Sequence, residues 1–147
     1  MQFTYRQNGG SLSIGNALVF GISGAGDANK LFELNAGTVY VKTNLRMART
    51  ANTSKLQDRI VINGGHLAAV SEIHLAYEKN ACRARVEING GTLTSSNTFC
   101  AAKSTGNDTT LRLNPNGTFR SSAFSASANS CTTRFYANGG TFRRSAW

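Results

Sequence analysis

The sequence has little proline, little tryptophan, few acidic residues and no long apolar run. Of its 147 residues one is Pro, one is Trp and seven are Asp or Glu, against sixteen Lys or Arg. Gly, Asn, Ser and Thr are abundant instead, which is not the Leu/Glu/Lys-rich balance of a helical protein. This composition favours strands and turns, and the length suits one domain over residues 1–147.

Within these 147 residues we expect no export signal, membrane anchor or cross-linking motif. The first residues, Met-Gln-Phe-Thr-Tyr-Arg-Gln-Asn, lack the apolar segment of a signal peptide, and no run is long enough to span a bilayer. The three cysteines, Cys82, Cys100 and Cys131, form no Cys-x-x-Cys motif and no Cys/His set at metal spacing. We therefore expect no zinc site, no disulfide framework and no cofactor, and the redox compartment stays open.

The shortage of acidic residues leaves a formal net charge of +9. The average electric field of such a chain attracts polyanions and repels cations, although charge alone names no partner. No glycine-rich phosphate loop, nucleotide-binding fingerprint or RNA-binding aromatic pattern accompanies the charge. Nucleic acid is therefore not the expected partner.

What the sequence does contain is an imperfect repeat along its whole length. A typical copy is Ile60-Val-Ile-Asn-Gly-Gly-His-Leu67. The aligned turn residues are Asn8, Asn35, Asn63, Asn89, Asn114 and Asn138, with Gly10, Gly37, Gly65, Gly91, Gly117 and Gly140. Successive glycines are 27, 28, 26, 26 and 23 residues apart, a period that suits one coil of a solenoid.

The residues around each asparagine predict strands joined by a corner. Apolar residues alternate before the asparagine, which is typical of a half-buried strand. Asn and Gly enter the left-handed backbone region at low cost, so the pair can form a sharp corner. The predicted strands are residues 3–7, 32–35, 60–63, 86–89, 111–114 and 134–137. A further short strand is predicted about eight residues after each glycine, at Leu18, Leu45, Ile73, Phe99 and Phe124.

The period favours a parallel β-helix over a β-sandwich. Asn-Gly is also the strongest short hairpin signal, so a sandwich of hairpins is the alternative. Hairpins would place an equivalent turn after every strand, whereas this corner recurs once per roughly 26 residues. In a β-helix, Leu34, Ile62, Ile88 and Leu113 should form one interior column.

The Asn-Gly-Gly-Thr-Leu motif of residues 89–93 resembles the passenger-associated strand repeats of bacterial autotransporter-like proteins, and the likeness covers essentially the whole chain. It implies an all-β fold, a right-handed parallel β-helix, here of about six coils, on the bacterial surface and often in adhesion. Departures are Ala36, the Asn-Pro-Asn-Gly of residues 114–117 and the basic charge. Residues 141–147 begin a coil without finishing it, so we expect an excerpt of a longer repeat array, or a short member that self-associates.

The basic residues follow the same register and suggest a binding surface. Alternation places five arginines outward on one sheet face, where they form what we call the arginine stripe: Arg6, Arg59, Arg85, Arg112 and Arg134. Stacked like charges repel, so we expect Glu33 and Glu87 on that face, or an anionic ligand, to offset them. The opposing interpretation is a merely solvated face that keeps the solenoid soluble.

The candidates for chemistry are few. Glu33 and Glu87 occupy the same register position two coils apart, at roughly 9.6 Å, near the carboxylate spacing of inverting glycosidases. His74 and Cys100 should stack on neighbouring coils, but no third metal ligand is visible. Cys82 and Cys131 are separated by a coil carrying Asn107, too far for a disulfide.

The sequence therefore predicts no enzyme. It indicates a structural, surface-exposed β-helix segment of a secreted or autotransporter-like bacterial protein, in adhesion or in binding to anionic polymers. The expected partners are an anionic polysaccharide, a host surface or further repeats of the same parent chain. A pectate-lyase-like β-helix that cleaves polysaccharides is the alternative function.

Overall fold

A computed structural model describes residues 2–19, 29–47, 57–76, 82–102, 105–125 and 130–144. These residues form thirteen strands and, within the described ranges, no helix. The strands are β1 (Gln2–Ile14), β2 (Leu18–Val19), β3 (Asn29–Val41), β4 (Leu45–Arg46), β5 (Asp58–Ile62), β6 (His66–Ala69), β7 (Ile73–His74), β8 (Arg83–Ile88), β9 (Gly91–Cys100), β10 (Asp108–Leu113), β11 (Gly117–Ser125), β12 (Thr132–Ala137) and β13 (Thr141–Arg144).

All pairings between these strands are parallel and form three ladders. The first ladder precedes the corners and runs through β1, β3, β5, β8, β10 and β12. The second follows the corners and runs through the ends of β1 and β3, then β6, β9, β11 and β13. The third, shorter ladder joins β2, β4, β7 and the ends of β9 and β11. Parallel strands one repeat apart, wound in this way, make a β-solenoid.

The core is a set of stacked apolar columns between the ladders. The register pairs Leu34 with Ile62, Ile62 with Ile88, and Ile88 with Leu113, and all four side chains are buried. The second ladder contributes the column of Val39, Leu67, Leu93 and Phe119, and the third that of Leu45, Ile73 and Phe99. The predicted interior column is confirmed, because the period-two alternation sends every second side chain inward.

The corners carry a continuous asparagine ladder. The amide Nδ2 of each motif asparagine donates to Oδ1 of the asparagine one coil earlier, from Asn35→Asn8 (2.8 Å) through Asn63→Asn35 (2.8 Å), Asn89→Asn63 (2.8 Å) and Asn114→Asn89 (2.6 Å) to Asn138→Asn114 (2.9 Å). Six side chains thus form five consecutive hydrogen bonds, all of the same direction. The ladder ties each corner to its neighbours.

The glycines of the corners differ in what they supply. Gly10, Gly37, Gly65 and Gly91 have positive φ, but in the last two corners the positive φ falls one residue earlier, at Asn116 (71°) and Gly139 (94°). In the fifth corner Gly117 N donates to Asn114 O at 3.1 Å, with Pro115 and Asn116 in between, the residues that a type II turn favours. Positions 117 and 140 require glycine because they have no room for a Cβ. A Cβ at Gly117 would collide with Ile88 of the preceding coil, and a Cβ at Gly140 would collide with Asn114.

The predicted strands before each corner are confirmed, with small changes at their ends. β5, β8 and β10 end one residue before the asparagine, whereas β1 and β3 continue through the corner with shifts of register in the β1–β3 pairing at residues 7–11. The short strands of the third ladder lie where the sequence predicts them. The right-handed winding and the count of about six coils stay predictions.

Candidate anion-binding faces

The arginine stripe occupies two neighbouring outward columns of the first ladder. One column contains Arg6 and Arg112, together with Glu33, Val61, Glu87 and Tyr136. The column two residues earlier contains Arg59, Arg85 and Arg134, together with Thr4, Leu31 and Thr110. Because the register carries both columns up the same sheet, the five arginines share one face.

Three of the five arginines of this stripe have carboxylate partners. Arg6 Nε lies 2.6 Å from Glu33 Oε2, Arg85 pairs with Glu87, and Arg134 with Asp108. Glu33 also accepts a hydrogen bond from Asn63 Nδ2 at 3.2 Å, which connects the stripe to the asparagine ladder. Much of the positive charge of the stripe is therefore neutralised within the protein.

The remaining two arginines of the stripe have no carboxylate partner within the described ranges. The guanidinium of Arg112 lies 5.0 Å from the ring centroid of Tyr136, in a cation–π contact with the next coil. Arg59 follows Leu31 and precedes Arg85 in its column. The charges of these two side chains are not offset by a described carboxylate, so they are the part of the stripe that can bind an external anion.

The outer face of the second ladder carries a pair of arginines that the sequence analysis did not single out. Arg120 on β11 and Arg143 on β13 are direct register partners, and both are exposed. Their Cα atoms are separated by one strand spacing, about 4.8 Å. The signal was present in the sequence, because Thr118-Phe-Arg120 and Thr141-Phe-Arg143 repeat the same triplet.

In the described part of the chain, no carboxylate shares the face of this arginine pair. One outward column consists of Ser11, Thr38, His66, Thr92, Thr118 and Thr141, and the other of Ser13, Tyr40, Ala68, Thr94, Arg120 and Arg143. Like charges directly opposite each other on adjacent strands destabilise a sheet. An anion bound across both guanidinium groups would relieve this repulsion.

His66 reports the positive character of the same face. Its Nε2 lies 2.9 Å from Thr94 Oγ1. Partial burial, and then the charge of Arg120, lower the pKa of His66 below its ordinary value of 6.5. The imidazole is consequently neutral at pH 7, and the face holds its positive charge on the arginines.

The two carboxylates of the enzymatic alternative lie where the sequence places them. Glu33 and Glu87 share a column with Val61 between them, which corresponds to about 9.6 Å at the usual strand spacing. Each is paired with an arginine, Glu33 with Arg6 and Glu87 with Arg85. Each of the two carboxylates thus already has a positively charged partner within the protein.

His74 and the three cysteines also follow the predicted register. His74 and Cys100 are direct partners on neighbouring coils, and His74 Nε2 lies 2.7 Å from Glu72 Oε2. Asn107 lies between the coils of Cys82 and Cys131, and its Oδ1 accepts a hydrogen bond from Cys82 N at 2.9 Å. None of the three cysteines forms a disulfide bond within the described part of the chain. Among the residues that the structure describes, no group of three His, Cys, Asp or Glu side chains is arranged to hold a metal ion.

Comparisons of the chain with protein-family models, with curated proteins and with solved structures find no match. No helix in the described ranges is long and apolar enough to cross a membrane.

Proposed function

We propose that this protein is a non-enzymatic β-solenoid that binds an extended anionic polymer through outward-facing arginines. The observation that carries the proposal is the Arg120–Arg143 pair, two exposed guanidinium groups on adjacent coils of a face without described carboxylates. Arg59 and Arg112 on the first ladder add two further sites of uncompensated charge. The net charge of +9 attracts a polyanion to both faces.

An anionic polysaccharide fits this arrangement better than a small anion. The outward columns repeat at the strand spacing of about 4.8 Å, so an extended polymer can meet charges on several coils at once. Each exposed contact is weak and is screened over a Debye length of about 8 Å at physiological salt. Binding therefore depends on the sum of several contacts.

The bacterial surface is the location that we propose for this activity. The support is the parallel solenoid fold together with the Asn-Gly-Gly motif, which resembles the strand repeats of autotransporter-like passengers. A rigid, extended solenoid holds its side columns in fixed register, which suits adhesion to a polymer-coated host surface. Detection of the parent protein on intact bacteria with an antibody raised against this chain would test the location.

Retention on immobilised heparin and alginate, measured at increasing salt concentration, tests the binding. Three double variants each lower the formal charge from +9 to +7: Arg120→Ser with Arg143→Ser, Arg59→Ser with Arg112→Ser, and Arg6→Ser with Arg134→Ser as the matched control. We expect the Arg120→Ser, Arg143→Ser variant to lose the most retention. The slope of its binding against salt concentration, on logarithmic scales, should fall by the amount that corresponds to about two fewer ionic contacts, as in complexes of proteins with other polyanions. The control should lose the least, because its arginines already have carboxylate partners.

Equal losses in all three double variants would contradict the proposed site, because net charge alone would then hold the polymer. Circular dichroism of each variant establishes that the sheet content is unchanged. The enzymatic alternative is tested by incubation with pectin and alginate. Reproducible release of reducing ends or unsaturated products that is lost in Glu33→Gln or Glu87→Gln would replace binding by catalysis as the function.

A further inference from the structure

The two end faces of the described solenoid are apolar and open. Phe3, Phe124, Phe135 and Phe142 occupy the first or last positions of inward columns, and their exposed fractions are 55%, 41%, 42% and 49%. In the middle coils, side chains of the same columns are buried, such as Val39 and Phe99. An apolar hollow lies at each end, lined by Phe124, Phe135 and Phe142 at one and by Tyr5, Leu12 and Leu18, among others, at the other.

The columns of the first and second ladders have apolar members at both ends of the described solenoid, whereas the column of the third ladder ends one coil earlier, at Phe124. The column that ends at Phe135 begins at Tyr5, the one that ends at Phe142 begins at Leu12, and the one that ends at Phe124 begins at Leu18. Aromatic side chains already stack between coils in this way, as Tyr5 does on Phe32 with ring centroids 5.0 Å apart. If the last coil of one molecule were followed by the first coil of another, the apolar columns of the first and second ladders would continue without a gap.

The hydrogen-bonding groups at the two ends are complementary rather than identical. Every bond of the asparagine ladder runs from Nδ2 of the later asparagine to Oδ1 of the earlier one. The ladder therefore leaves a donor, Asn8 Nδ2, at the first coil and an acceptor, Asn138 Oδ1, at the last. β1 pairs only with β3, β12 only with β10 and β13 only with β11, so each has one edge without a strand partner among the described residues.

The first corner also has room for a neighbour. A Cβ at Gly37, Gly65 or Gly91 would collide with the backbone of the preceding corner, whereas a Cβ at Gly9 or Gly10 would meet nothing within 4 Å. The first corner thus has the same glycine-lined shape as the inner ones but no coil packed against it. Each inner corner packs against the corner before it. By analogy, the first corner would pack against the sixth corner of another molecule, which contains Gly139 and Gly140.

From these features we infer that the solenoid associates head to tail with a second copy of this chain, the last coil of one molecule stacking on the first coil of the next. The donor and the acceptor lie at opposite ends, so only a head-to-tail arrangement joins them. Such an interface is heterologous and leaves a free end at each side of the pair, so assembly continues into short filaments.

Sedimentation velocity of the 147-residue chain at rising protein concentration tests this inference. We expect the weight-average mass to increase with concentration and to increase further with salt, because salt screens the repulsion between molecules of charge +9. Polymer binding by the arginines weakens with salt, so the two activities respond in opposite directions. A chain that stays monomeric at all concentrations and salt levels would overturn the inference.

Two end-blocked variants distinguish a head-to-tail contact from other contacts. Phe3→Lys blocks the first coil and Phe142→Lys blocks the last, while Tyr40→Lys changes a residue of similar exposure, 44%, on the side of the solenoid. We expect each blocked variant alone to be monomeric, an equimolar mixture of the two to stop at a dimer, and Tyr40→Lys to associate like the native chain. Self-association of either blocked variant alone, or a mixture that stays monomeric, would exclude the head-to-tail contact.

Asn8→Asp provides a second test in case a lysine at either end prevents folding. An aspartate at this position still accepts the hydrogen bond from Asn35 Nδ2, so the internal ladder is kept. It cannot donate to Asn138 Oδ1 of another molecule, and its carboxylate would repel that acceptor. We expect weaker association with an unchanged melting temperature of the monomer, and association equal to that of the native chain would count against the inference.

Discussion

Asp58 is the most unusual single residue of the core. It begins β5 at an inward position, only 1% of its surface is exposed, and it is the one buried carboxylate among the described residues. Its Oδ1 accepts a hydrogen bond from Lys30 N at 3.1 Å. Burial raises the pKa of Asp58 above its ordinary value of 3.8, although the backbone N–H and the charge of Lys30 act in the opposite direction. The folded protein thus binds this proton more tightly than the unfolded chain does.

The raised pKa of Asp58 determines how the free energy of unfolding depends on pH. The stability that the protonated Asp58 contributes is complete below pH 3.8 and is lost as the pH rises through the raised folded-state pKa. Asp58→Asn keeps the acceptor for Lys30 N and removes the titration. We expect the variant to gain stability relative to the native chain as the pH rises from below 3.8 to 7. The gain should be about 1.4 kcal/mol for each factor of ten between the proton affinities of Asp58 in the folded and the unfolded chain. Urea unfolding of both proteins across this range measures the difference, and a constant or falling difference would contradict the assignment.

At the scale of structural elements, the asparagine ladder links every corner to the next. Its middle members make two amide hydrogen bonds each, as Asn89 does with Asn63 (2.8 Å) and Asn114 (2.6 Å), whereas Asn138 makes one, with Asn114 (2.9 Å). A net hydrogen bond contributes about 0.5–1.5 kcal/mol to stability. The number of ladder bonds lost should therefore set the cost of a substitution.

Asn89→Ala should lower the free energy of unfolding by about 1–3 kcal/mol, and Asn138→Ala by about half as much, because one removes two bonds and the other removes one. Chemical denaturation with an unchanged m-value measures both. Asn138→Ala serves as the matched control, since it makes the same chemical change at the same corner position. Equal losses in the two variants would mean that the cost comes from the backbone of the corner and not from the amide ladder.

At the scale of the whole molecule, each coil contacts only its neighbours, so stability is expected to fall towards the ends. The strands β12 and β13 are mostly exposed, whereas β5 and β8 alternate between buried and half-buried residues. Regions with few buried contacts open locally at a lower free energy than the core. The last coil is thus expected to be the first to open.

Native-state hydrogen exchange provides the measurement. At low protein concentration, amides of residues 132–137 and 141–144 should exchange roughly tenfold or more faster than those of residues 58–62 and 83–88, a difference of about 1.4 kcal/mol in opening free energy. At concentrations where molecules stack end to end, the last coil should become protected while the middle coils change little. Uniform exchange along the chain would show that the solenoid opens as one unit.

The fold was largely predictable from the sequence, because its determinants act over short distances along the chain. Alternation of apolar residues decides which side chains face inward, and the recurring Asn and Gly mark where the chain can turn. These local rules suffice to place Leu34, Ile62, Ile88 and Leu113 in one column and to align the six motif asparagines. The same rules align the arginines of the stripe, since all of them follow from counting residues back from a corner.

Only the tertiary structure decided which of the aligned charges remain available. Arg6 and Glu33 are 27 residues apart in sequence, and Arg134 and Asp108 are 26 apart, so their pairing depends on the register of neighbouring coils and on side-chain reach. The shift of positive φ to Asn116 and Gly139 likewise depends on how those corners pack on the coil before them. The composition determined the sign of the charge, and the repeat determined its period. Contacts between coils decided which arginines have no carboxylate partner among the described residues: Arg120 and Arg143 on the second ladder, and Arg59 and Arg112 of the stripe.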